Sequence, residues 1–185
     1  MAITRFCTLD TPWMTLIGEH IPTPAGPPLD YWRIERADSV IVLPVQGDRL
    51  LLPPPVYRPG VGAATLDFPG GRRGADQTVT AAAIAILGRE LHCDLPRDRL
   101  QPLNSTGWPV NSSFSNQHLY GCVAQIPRDW QPPAHLDLRT YAISPTGIQQ
   151  LLADLPCLQC RAVLLDWWWR SPVSFGDAEC KALAT

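Results

Sequence analysis

The stretch Leu66–Cys93, LDFPGGRRGADQTVTAAAIAILGRELHC, reads as strand, tight loop and helix. Asp67, Phe68 and Pro69 close an extended run. Gly70-Gly71 then supply a turn in which positive φ is open to the backbone. Arg72 to Gln77 is polar loop. From Thr78 onward, Val79, Ala82, Ala83, Ile86, Leu87 and Leu91 recur mostly at steps of three and four. That spacing predicts a helix over 78–91 with one buried face. Its only charged residues, Arg89 and Glu90, stand together at its C-terminal end.

The stretch resembles the signature of the Nudix hydrolases. That signature is a glycine, five residues, a glutamate, seven residues, Arg-Glu-aliphatic, one residue, Glu-Glu, one residue, glycine, aliphatic. With Gly71 on the first glycine and no gaps, Leu87 falls on the first aliphatic position, Glu90 on the last glutamate and Cys93 on the final aliphatic position. Gln77, Ala85, Ile86, Arg89 and His92 stand where the signature has glutamate, arginine, glutamate, glutamate and glycine. A second register sets Arg89-Glu90-Leu91 on Arg-Glu-aliphatic, with Cys93 and Asp94 on the paired glutamates. It needs a four-residue insertion after Gly71 and puts Pro96 on the closing glycine. The gapless register also aligns Thr78, Ala82, Ala83 and Ile84 with the family's usual helix pattern, and is preferred.

The flanks are similar to the ADP-ribose pyrophosphatase branch. Val56-Tyr57-Arg58-Pro59 fits its Tyr-Arg-Pro-like segment, and Asp67 to Gly71 fits its Glu-Leu-Pro-Ala-Gly run. Asn111 to Gln117, NSSFSNQ, resembles that branch's Ser-Pro-Gly-Phe-Ser-Asp-Glu loop. The resemblance implies an α/β fold, the Nudix α/β/α sandwich with a mixed β-sheet between helices. It covers residues 34–170, with an N-terminal extension over 1–33 and a tail over 171–185. The extension is expected to pack on the domain or on a second subunit, which makes a homodimer an expectation.

The resemblance also implies a site. Nudix enzymes split nucleoside diphosphates linked to another group, using magnesium or manganese to neutralise the pyrophosphate and activate water. Glu90 is carried over as catalytic residue and metal ligand, and the Gly70 carbonyl as a second metal ligand. Arg58, Arg89 and Phe114 are expected to bind the ligand, a nucleotide-derived small molecule. A loop that often supplies a further glutamate in the family offers only Asp129 and Asp137 here.

The departures decide the functional expectation. In the family the metal-holding glutamates lie four apart on one helix face. Here that pair is Ile86 and Glu90, and isoleucine offers no oxygen. Magnesium demands about six oxygens at about 2.0–2.1 Å. The chain is therefore expected to have impaired or lost hydrolysis while retaining a ligand or partner. Two other readings stand beside this one. The first is an active hydrolase that recruits Asp67, Asp76 or Asp94. The second is an interaction protein with a vestigial pocket. Ile86 itself is expected to be buried.

Composition bounds these readings. The 185 residues make one domain with a sizeable core. A net charge of -2 argues against nucleic acid as partner. No apolar run is long enough to span a bilayer. No charged start with an apolar run marks a signal peptide, so cytoplasmic free thiols are expected.

Elsewhere, Trp13 to Ile17 reads as an edge strand and Ser39 to Val45, SVIVLPV, as a strand fit for a sheet interior. Ser144 or Thr146 caps a helix carrying Ile148, Leu151 and Leu152. Leu158, Ala162, Leu165 and Trp169 form a stripe on a last helix. Its three consecutive tryptophans, 167–169, point about 100° apart, so one indole must leave the core. Cys157 and Cys160 form a lone CxxC, read as packing thiols because two thiols do not complete a zinc site.

Overall fold

A computed structural model describes residues 2–171. Most of the expected tail, residues 172–185, lies outside the described residues.

The chain begins with three antiparallel strands: β1 (Thr4–Asp10), β2 (Thr15–Ile21) and β3 (Leu29–Glu35), in the order β1-β2-β3. The edge strand expected over 13–17 is instead the central strand, shifted C-terminally. Thr11 explains the shift. Its hydroxyl donates to the Met14 carbonyl at 2.7 Å and accepts from the Met14 N–H at 3.0 Å, which turns Pro12-Trp13-Met14 into a loop. The extension is thus a folded sheet, and the boundary expected at 33 falls inside β3.

The main sheet has seven strands. β4 (Ser39–Gln46) is central, with β5 (Arg49–Leu52) and β8 (Gly70–Arg72) antiparallel to it and β11 (His118–Gln125) parallel to it. β9 (Leu100–Pro102) and β10 (Trp108–Pro109) pair with β11, and β12 (Arg139–Ala142) pairs with β5. A separate hairpin joins β6 (Val56–Arg58) to β7 (Ala63–Thr65). The three prolines before β6 explain why it leaves the main sheet, since each lacks an N–H for the ladder.

Helices cover both faces. β4 alternates between two cores, because successive side chains in a strand point to opposite faces. Val40 and Val42 pack with Ala83, Ile86 and Leu87 of α1 (Val79–Leu91). Ile41, Leu43 and Val45 pack with Ile148 and Leu151 of α2 (Pro145–Asp154) and with Val163 and Leu164 of α3 (Leu158–Arg170). This is the mixed sheet between helices that the sequence predicts.

Helix α1 matches its expected span. Thr78 caps it by accepting from the Ala81 N–H, and His92 ends it in the left-handed region at φ 53°. His92 is the one described non-glycine residue with positive φ. Ile86 is 2% exposed, as expected. The stripe expected on α3 is corrected. Cys160, Val163, Leu164 and Trp168 face the core, while Leu158 and Trp169 are 78% and 61% exposed. Two stripes one residue out of step share the same helical period, and periodicity alone does not choose between them.

Candidate active site

The turn between β7 and α1 brings the signature residues together. In β8, Gly70 lies opposite Ile41 and Gly71 opposite Val40. A Cβ on Gly71 would stand 3.0 Å from Arg89 Nη2 and 3.2 Å from Ile86 Cγ1. Glycine here permits the close approach of α1 to the strand.

Three groups close on one another at that point. The Gly70 N–H donates to Glu90 Oε2 at 3.3 Å. Arg89 Nη2 donates to the Gly70 carbonyl at 3.0 Å and to Glu90 Oε1 at 2.6 Å. Glu90 is three-quarters shielded, with 25% of its side chain exposed, whereas Arg89 is 58% exposed. One guanidinium nitrogen therefore sits between the two oxygens expected to ligate metal. The third position of the set, Ile86, is turned into the core. One carboxylate and one carbonyl, both engaged by the same cation, do not fit a magnesium or manganese site.

The cleft beside this cluster is a cavity of about 760 Å³, within the range of ligand pockets, about 300–1,000 Å³. Arg36, Arg58, Arg72 and Arg89 line it against one carboxylate, Asp67. Arg58 Nε donates to Asp67 Oδ2 at 2.9 Å, and the Thr65 hydroxyl donates to the same oxygen at 2.9 Å. Among the described residues Arg36 and Arg72 form no ion pair. The Arg72 guanidinium lies 4.0 Å from the centre of the Trp13 ring, a cation–π contact. The cleft is thus cationic. A smaller cavity of about 320 Å³ shares Arg58, Thr65, Asp67 and Phe68 with it and is bordered by Glu90.

Of the expected site residues, Arg58, Gly70 and Arg89 line the larger cavity and Glu90 the smaller. Phe114 lines neither of these two cavities. Its carbonyl accepts from the Ile34 N–H at 2.8 Å and ties its loop to β3. Asp76, Asp94, Asp129 and Asp137 are exposed and line neither cavity. Arg36 and Arg72 went unread in the sequence. Arg72 was read only as polar loop, and only the fold carries Arg36, one residue past β3, to the glycine turn.

Cys157 and Cys160 also line the larger cavity. Cys157 is the N-cap residue of α3, and Cys160 is 2% exposed. The hydrogen bond from the Cys160 thiol holds the Cys157 thiol down to about 6, against burial, which opposes it, and with help from the backbone N–H of Cys160. The Cys160 thiol is pushed well above its usual range by that same bond and by burial.

No family model matches the chain, and no curated protein matches it. Among solved structures it is similar to the crystal structure of an ADP compounds hydrolase. The TM-score is 0.68 at 18% identity, covering 90% of this chain and 89% of that one. The chain therefore has a Nudix-like α/β fold.

Proposed function

We propose that this chain is a relative of the pyrophosphatases acting on ADP-ribose and other nucleoside diphosphate derivatives, with hydrolysis impaired or lost and ligand binding retained. The observation that carries this reading is Arg89 Nη2, 3.0 Å from the Gly70 carbonyl and 2.6 Å from Glu90 Oε1. The protein supplies its own cation where the family uses a metal. A guanidinium forks onto phosphate oxygens but activates no water. Arg58, Arg36 and Arg72 add positive charge on the same cleft, which suits an anionic, nucleotide-derived ligand. The left-handed His92 supports the gapless register, which sets His92 on the signature's glycine. The structural neighbour, a hydrolase of ADP compounds, points to the same ligand class.

The active-hydrolase reading keeps one supporting observation, that Asp67 and Glu90 border the same smaller cavity. A turnover screen with magnesium or manganese against ADP-ribose and dinucleotides separates the two. Binding without turnover by the unmodified protein is the expected result. A rate constant near the enzyme median of about 10 per second, abolished by Glu90→Gln, overturns the proposal.

A further inference from the structure

Asp67, Cys157 and Cys160 each present one ligand atom, and these atoms all lie within 4.8 Å of one another. Cys160 Sγ is 4.0 Å from Asp67 Oδ1. We infer that these three residues form a binding site for a soft divalent cation, zinc first, with its fourth position open to the cleft.

The geometry suits a tetrahedral ion. Zinc takes thiolate sulfur at about 2.3 Å and carboxylate oxygen at about 2.0–2.2 Å, so neighbouring ligand atoms stand about 3.4–3.8 Å apart around it. The observed spacing closes to that with small side-chain movements. Three protein ligands with a fourth position left to water or substrate is the pattern of zinc sites that meet a ligand. The fourth position here faces the cavity of about 760 Å³ that all three residues line.

The carboxylate is already oriented. Asp67 Oδ2 accepts from both Arg58 and Thr65, which leaves Oδ1 directed at Cys160. Such outer contacts fix a ligand's direction and are part of a working metal site. Charge also closes. Two thiolates and one carboxylate balance a divalent cation together with the Arg58 guanidinium, which is 2.9 Å from Asp67. Thiolate ligands select zinc over the hard cations magnesium, calcium and manganese. The CxxC alone lacked ligands for this, and the third ligand is supplied by a residue 93 positions before Cys160. The site shares no residue with the Glu90–Arg89 pair.

The test uses the reduced full chain titrated with cobalt(II) under anaerobic conditions. One equivalent is expected to give thiolate-to-cobalt charge-transfer absorption with the visible bands of a tetrahedral ion, displaced by zinc. Cys157→Ser, at the half-exposed position, is expected to reduce the charge-transfer intensity with unchanged circular dichroism. Asp67→Asn is expected to weaken zinc binding about tenfold or more. Absence of the charge-transfer band with cobalt in excess, or a band that survives Cys157→Ser at full intensity, overturns the site. A protein that binds no ion when reduced but loses two hydrogens by mass on mild oxidation is a redox dithiol, and the proposal is then wrong.

Discussion

Arg89 donates to the Gly70 carbonyl at 3.0 Å from the same nitrogen that reaches Glu90. The end of α1 is thereby stitched to the glycine turn by a cation the chain carries itself. Glu90 Oε2 accepts from the Gly70 N–H on the other side, so both carboxylate oxygens are occupied. An entering metal ion competes with the guanidinium for Glu90 Oε1 and for the Gly70 carbonyl.

Arg89→Glu removes the built-in cation and sets a second carboxylate beside Glu90. Manganese affinity is expected to rise at least about tenfold, the lower end of what individual groups around a metal contribute. Electron paramagnetic resonance of free manganese measures it. Unchanged affinity would show that the guanidinium does not block the site. Ile86→Glu is less informative. Ile86 packs with Val40, Val42 and Ala83, and a carboxylate there forfeits about 2 kcal/mol of burial before its own desolvation is counted.

The sequence carried α1 nearly whole, because Val79, Ala82, Ala83, Ile86, Leu87 and Leu91 recur at helical spacing between a capping threonine and a break. It carried β4 as an interior strand, because SVIVLPV has an apolar residue for each face in turn. It did not carry the phase of α3, where Leu158, Leu165 and the tryptophans offer a second stripe as good as the true one. The meeting of Gly70, Arg89 and Glu90 was legible because the signature numbers them. Arg36 and the grouping of Asp67 with Cys157 and Cys160 were not, since only tertiary contact joins segments that far apart in the chain.

Gly88 lies inside α1, where glycine costs about 1 kcal/mol relative to alanine. A Cβ there would meet only Asp94 Oδ1, at 3.4 Å. Gly88→Ala is therefore expected to raise the melting temperature by about 2–4 °C, the shift about 1 kcal/mol produces in a domain of this size. Calorimetry reads it, and a lowered temperature would place strain at this turn of the helix.

Asp38 ties β4 to the loop before α1. Its Oδ2 accepts from Arg73 Nη2 at 2.6 Å and its Oδ1 from the His118 N–H at 2.9 Å. Burial pushes this carboxyl up, but the Arg73 hydrogen bond, the His118 N–H and their charges together hold it below its ordinary value of 3.8. A depressed folded value means stability that is fully present above the unfolded value and lost as pH falls through the folded one. Urea midpoints are expected to fall below about pH 4, the window this shift sets. Asp38→Asn should lower stability at pH 7 by about 2–3 kcal/mol, the scale of hydrogen bonds to a charged group, and flatten that acid slope. An unchanged slope would assign the acid loss to other carboxylates.

The N-terminal sheet presents an apolar face. Phe6 lies over Gly18, where a Cβ would come within 2.6 Å of its ring, and meets Trp32 edge-on with ring centres 5.3 Å apart. Gly18 pairs with Trp32 and Leu16 with Leu9, so Phe6, Leu9 and Trp32 share one side of the sheet. They are 42%, 57% and 45% exposed. On the other side Glu19 is clamped by Arg33 through two bonds of 2.9 Å, and Ile17 is fully buried. We propose that this exposed cluster, bordered beside Phe6 by the His20–Asp30 pair, meets the same face of a second copy in an isologous pair. Light scattering is expected to give twice the chain mass of 20.4 kDa. Trp32→Glu sets like charges against one another across the two-fold axis and is expected to return the monomer with its main-sheet fold intact by circular dichroism. A monomeric unmodified protein at high concentration would show that this face has another occupant.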